Sequence, residues 1–125
     1  MSITLENAQY LNLATFRKNG NAVKTPIWFA QIGEAYYAFS AGNAGKVKRL
    51  RNSSKSRVAP CDARGKVLGE WIDSEALIIL DTDEIEQAYQ ALRQKYGWQM
   101  RLLDFFSHLA GKIKQRSVIA IKLQP

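Results

Sequence analysis

A chain of 125 residues with 46% hydrophobic and 23% charged residues has the make-up of one globular domain, 1–125, and its net charge of +7 points to an anionic partner: nucleic acid, membrane surface or phosphorylated ligand. Single residues Cys61 and His108 exclude an internal disulfide and leave neither a Cys-rich nor a His-based metal cage within reach. The longest strongly apolar run, Ala76–Leu80, is too short to span a bilayer, and Met1–Asn7 reads as no leader, so a cytoplasmic protein with no metal and no membrane partner is expected.

Tyr10 to Arg17 alternates as a strand and ends at Lys18-Asn19-Gly20-Asn21, where Asn-Gly marks a hairpin because both turn positions need positive φ. Ala22 to Ile32 is predicted as a second strand. Pro26, which has no N–H to donate, makes it a bulged or edge strand at that point. Gly33-Glu34 turns the chain into a third strand, Ala35 to Ser40. After the loop Ala41–Gly45 a short helix is predicted over Lys46–Asn52, with Asn43 able to cap it and Val47 and Leu50 on its inner face.

Arg57 to Asp62 and Gly69 to Leu80 read as the fourth and fifth strands, turning at Ala63–Lys66. Asp81 with Glu84 three residues on resembles a capping box, and Ile85, Ala88, Tyr89, Leu92 and Tyr96 keep helical spacing up to a C-terminal Gly97. A second helix over Gln99–Leu109 and a last strand, Ser117–Leu123, complete the chain. Six strands joined mostly by hairpins predict an antiparallel sheet or barrel, mostly β, with helices at its rim. Strands and helices do not alternate as a doubly wound parallel sheet requires.

The segment Ser40–Asn52 (SAGNAGKVKRLRN) carries the chemistry. Lys46 falls in the first turn of its helix, where a cation opposes the helix dipole, and Arg49 lies on the same face one turn later. Both are accounted for if an anion sits at that N-terminus, as a phosphate would; a solvated basic helix is the plainer alternative. A P-loop is excluded, since Ser40 stands where its first glycine belongs and Val47 where Ser or Thr must follow the lysine. No Gly-x-Gly-x-x-Gly occurs.

The second candidate is Lys24-Thr25-Pro26-Ile27-Trp28. Pro26 frees backbone groups for a ligand, Trp28 offers a wall to a flat ring, and Lys24 and Thr25 are in reach of a phosphate; a bulged strand with a core tryptophan is the alternative. His108 is expected to be structural, Cys61 a packed small residue, and Asp81, Asp83, Glu84 and Glu86 dipole-complementing acids at a helix start. No nucleophile–base pair is present to name as catalytic, so chemistry here would come from a cofactor.

Taken in order, Arg17-Lys18-Asn19-Gly20, Thr25-Pro26-Ile27-Trp28 and Gly45-Lys46-Val47-Lys48-Arg49-Leu50-Arg51-Asn52 resemble the pyridoxamine 5′-phosphate oxidase-like split-barrel family. Val58-Ala59-Pro60-Cys61-Asp62-Ala63-Arg64-Gly65 with Gly69-Glu70-Trp71, and Leu92-Arg93-Gln94-Lys95-Tyr96-Gly97-Trp98, are similar to its F-420 (deazaflavin)-dependent subgroup. The resemblance implies a six-stranded antiparallel split β-barrel, a homodimer, with FMN or F-420 in the cleft between subunits. It implies Lys46 and Arg49 at the cofactor phosphate, Thr25 to Trp28 along the ring, Ser40 near the phosphate, and Lys24, Arg64 and Trp71 as further contacts. The C-terminal substrate-binding segment of the oxidase proper has no counterpart before Pro125, so vitamin B6 oxidation is not the expected activity.

The expected function is hydride transfer between FMN or F-420 and a small redox substrate. The alternative is a non-catalytic binding module, either a cofactor-storing or sensing protein or a nucleic-acid surface. Lys46, Lys48, Arg49, Arg51, Lys55 and Arg57 are cations enough for a nucleic-acid backbone, though nucleic acid is not the expected partner.

Overall fold

The computed structural model describes residues 4–42, 44–109 and 116–124. Its strands are β1 (Tyr10–Phe16), β2 (Ala22–Ile27), β3 (Ala30–Ile32), β4 (Ala35–Ala41), β5 (Lys55–Cys61), β6 (Ile72–Ile79) and β7 (Arg116–Leu123). The helices are α1 (Gly45–Asn52), α2 (Thr82–Tyr96) and α3 (Trp98–Leu109). All seven strands form one antiparallel sheet in the order β2-β1-β5-β6-β7-β4-β3.

That order dictates the shape. β2 and β3 lie at opposite edges, yet only Trp28 and Phe29 separate them in the chain. Flat, the edges would stand about 29 Å apart, at about 4.8 Å per strand. Three Cα–Cα steps from Ile27 to Ala30 reach at most about 11 Å. The sheet must therefore roll up until its edges meet at Trp28–Phe29.

The predicted second strand is thus two strands, and the sheet has seven strands where six were expected. The reason is a hydrogen bond that local pattern does not contain. The Tyr96 hydroxyl accepts from the Phe29 N–H at 2.9 Å and donates to the Gln9 carbonyl at 2.7 Å, with the Phe29 carbonyl at 3.0 Å as a second acceptor. A side chain thereby satisfies the backbone of Phe29 in place of a ladder partner, and the strand can break there.

Inside the roll, Leu11, Leu13, Phe29, Tyr36, Ala38, Val58, Ala76, Ile119 and Ile121 pack as the core, and Leu50 of α1 packs into the same cluster. Outside, α2 lays Ala88 with Ile85 and Tyr89 over Tyr37, Ile79, Val118 and Ala120. The Asp81 carboxylate caps α2 by accepting from Glu84 N–H at 3.0 Å. The capping box is half made, because the Glu84 carboxylate accepts the Tyr37 hydroxyl at 2.8 Å instead. Asn43, the expected cap of α1, lies outside the described residues; the N-cap position is Ala44, with no side-chain hydrogen bond. Other ends shift slightly: β5 starts at Lys55 where Arg57 was predicted, and β6 at Ile72 where Gly69 was.

Candidate functional site

The register leaves a seam in the barrel. β3 pairs with Ala35–Tyr37 of β4 and no further, so from Ala38 to Ala41 β4 has β7 alone as partner. β2, from Ala22 to Ile27, has β1 alone. One lip of the seam is therefore the unpaired edge of Lys24-Thr25-Pro26-Ile27 and the other is upper β4 with the buried Ser40. α1 starts just beyond β4 and reaches the end of β1, where Arg49 Nε donates to the fully buried Thr15 Oγ1 at 2.6 Å.

Thr15 pairs with Val23, so the basic end of α1 stands at the head of the β2 edge. From Val23 to Trp28 the strand direction covers about 17 Å.

α1 makes its N-terminus unusually positive. Val47 and Leu50 are buried on one side, which fixes Lys46 and Arg49 half-buried on the flank. A Cβ at Gly45 would stand 2.8 Å from an Arg49 Nη1, so the guanidinium folds back over the helix start through space that glycine leaves. Burial pushes the Lys46 ammonium below lysine's ordinary range, and the neighbouring Arg49 adds to that. Arg49 is lowered likewise, by burial and then by Arg17. The ion pairs among the described residues join Arg57 to Asp73, Arg93 to Glu86 and Asp104, and Arg116 to Asp104; none includes Arg17, Lys46 or Arg49. Lys46 and Arg49 thus stand half-buried at one helix start with no ion pair among the described residues, and the exposed Arg17 adds its field to that of Arg49.

The other candidates divide by face. Thr25 and Ile27 share the inner face with Leu13 and Leu11, their pairing partners, and Ile27 is in the core. Lys24 and Pro26 face outward. The Lys24 ammonium lies 5.3 Å over the Trp71 ring in a hollow of about 590 Å³ that Phe16, Lys55, Arg57 and Asp73 also line. Trp28 lies outside the barrel, half-buried, its indole stacked on Tyr96 at 4.4 Å and 9°. Arg64 is exposed in the turn after β5. The structure therefore joins Lys46, Arg49 and the β2 edge, while the Lys24 and Trp28 side chains point to separate surfaces.

The six cations between Lys46 and Arg57 do not form one stripe. Lys48 and Arg51 are exposed on α1, Lys55 lies 4.8 Å over Phe16, and Arg57 is tied to Asp73 at 2.9 Å.

Thr15 was not singled out by the sequence, and Arg17 and Gly45 entered only as members of the stretches that carry the resemblance, with no role of their own. Lys95 was missed as well: its ammonium stands 3.5 Å over the Phe29 ring, and burial lowers it to about 8. Cys61 is buried and burial raises its thiol to about 11, which keeps it a protonated packing group. His108 is exposed on α3. Among the described residues no three His, Cys, Asp or Glu side chains come together, and no helix is long and apolar enough to cross a membrane.

No family model matches the chain, and no curated protein does. Solved structures do. A candidate pyridoxamine 5′-phosphate oxidase from Listeria innocua superposes with a TM-score of 0.67 at 15% identity, over 97% of this chain and 88% of that one. An F-420 reductase gives 0.63 at 17%, over 98% and 91%. The heme storage protein HutZ of Vibrio cholerae gives 0.72 at 13%, over 95% and 84%. The fold is the split barrel of these proteins, mostly β with a rolled antiparallel sheet and helices outside it.

Proposed function

We propose that the chain, acting as one 1–125 unit and as a homodimer in the cytoplasm, binds FMN or F-420 at the seam and transfers hydride between it and a small substrate. The observation that carries this reading is the pair Lys46 and Arg49, half-buried at the start of α1 with no ion pair among the described residues, at the head of an unpaired strand edge. A half-buried cation without a partner bears part of the cost of losing its water, and a phosphate relieves that cost.

In this reading Lys46 and Arg49 hold the phosphate, Thr15 fixes Arg49 in place, and Ser40 stands on the facing lip. The free backbone groups of Lys24 to Ile27 meet the ring, while the Trp28 side chain, stacked on Tyr96, lies away from it. When bound, the ring supplies the hydride chemistry, and the chain's own residues position it and exclude water. The fold neighbours include an F-420 reductase, which supports a flavin-type ligand, and a heme storage protein, which makes heme the ligand to discriminate against.

The test is titration of the purified full-length chain with FMN, with F-420 and with hemin, read by absorbance and fluorescence. Binding of FMN or F-420 that Lys46→Met and Arg49→Met each weaken about tenfold or more supports the reading. Binding of hemin alone, or flavin binding indifferent to both substitutions, overturns it. Light scattering of the loaded protein should report twice 14.1 kDa.

A further inference from the structure

α3 is apolar on the side that faces solvent. Trp98, Leu102, Leu103, Phe105, Phe106 and Leu109 are 71%, 47%, 37%, 58%, 58% and 68% exposed, while Met100 alone is buried against the body. Five of the six recur at three- and four-residue steps, which places them on one arc opposite Met100. An amphipathic helix normally turns such an arc to the core; this one turns it outward.

The exposed charge of α3 itself is basic. Asp104, the helix's single acid, is turned inward at 17% side-chain exposure and held by Arg93 at 3.3 Å and Arg116 at 2.7 Å. The ionisable groups left exposed on α3 are Arg101 and His108. An anionic surface complements this exposed cation and the chain's net charge of +7.

We propose that α3 docks on the surface of an anionic lipid bilayer, its Trp, Leu and Phe side chains sunk into the headgroup region and Arg101 on the phosphates. The helix lies on the membrane and does not cross it: twelve residues extend about 18 Å, against a hydrocarbon core of about 30 Å. The expectation of no membrane partner rested on the absence of a span, and an interfacial helix needs none. Aromatic residues at the boundary and basic flanks are what such a helix requires.

The test is flotation of the full chain with vesicles of phosphatidylglycerol and phosphatidylcholine, and with phosphatidylcholine alone. Expected is flotation with the anionic vesicles, weaker with the zwitterionic ones and weaker again at high salt. Replacing Phe105 and Phe106 together by Ser should lower vesicle affinity about tenfold or more, with the circular dichroism spectrum unchanged. Should that variant not fold, brominated lipids decide: they should quench the wild-type fluorescence, and Trp98→Phe should reduce the quenching, with Trp28 of the adjoining hollow left as reporter, while the protein still floats. No flotation with anionic vesicles, a bound wild-type protein left unquenched, or a double variant that floats as well as wild type overturns the proposal. So does a double variant that turns a dimer into a monomer, since the arc is then an interface between copies.

Discussion

Lys46→Met separates a phosphate-binding lysine from a lysine on a solvated helix, because two observables should move in opposite senses. Without ligand, Lys46 is half-buried, is lowered below lysine's usual range by burial and then by Arg49, and is in no ion pair among the described residues. An uncharged side chain of similar reach removes that penalty, so the ligand-free variant should melt no lower than wild type and its urea midpoint should rise. With ligand the sign reverses. A charge-assisted hydrogen bond contributes about 1.5–3 kcal/mol, so FMN or F-420 affinity should fall by roughly 10- to 150-fold.

Lys48, exposed on the same helix, is the internal control, and Lys48→Met should change both quantities little. A pH series adds a third readout. Phosphate stabilises the protonated ammonium, so affinity should decline as pH rises through the lowered Lys46 value, earlier than for an ordinary lysine, and the variant should lack that decline. The assay is fluorescence titration beside urea denaturation. A Lys46→Met protein that loses stability while keeping cofactor affinity refutes the reasoning.

Gly45→Ala places a Cβ 2.8 Å from Arg49 and must push the guanidinium away from Thr15. Alanine favours the helix by about 1 kcal/mol over glycine, so the expected result is undiminished thermal stability with weakened cofactor binding; intact binding would show that Arg49 is not at the phosphate. Lys95 has a folded pKa of about 8, below its unfolded value of about 10.4. Below pH 8 its ammonium is charged in both states and the burial cost is fully present; above that the folded chain releases its proton first and stability rises with pH. Lys95→Met should therefore gain most in urea midpoint near neutral pH and lose that advantage toward pH 10, and an advantage that grows with pH would contradict the assignment.

Elements governed by local chemistry were legible in the sequence. The hairpin at Asn19-Gly20 is present, but Gly20 alone takes positive φ (89°) and Asn19 does not, so the turn is not the one with two positive-φ positions that Asn-Gly implied. Gly97 ends α2 at φ 58°, and α1, α2 and α3 fall within a residue of their predicted starts. These depend on turn geometry, capping and 3.6-residue spacing, all of which neighbouring residues determine. The cluster of Lys46 and Arg49 was legible too, since a helix turn fixes their shared face. Tertiary structure decided what depends on partners far along the chain. The break at Trp28–Phe29 needs the hydroxyl of Tyr96, 67 residues away, and the setting of Arg49 needs Thr15, 34 residues away. The exposure of α3 depends on the same kind of information: the apolar period announces a helix with one greasy side, but only packing shows that Met100 faces the body and the six larger side chains face out. Periodicity specifies which residues lie together on a face; what that face meets is set by contacts that no local pattern encodes.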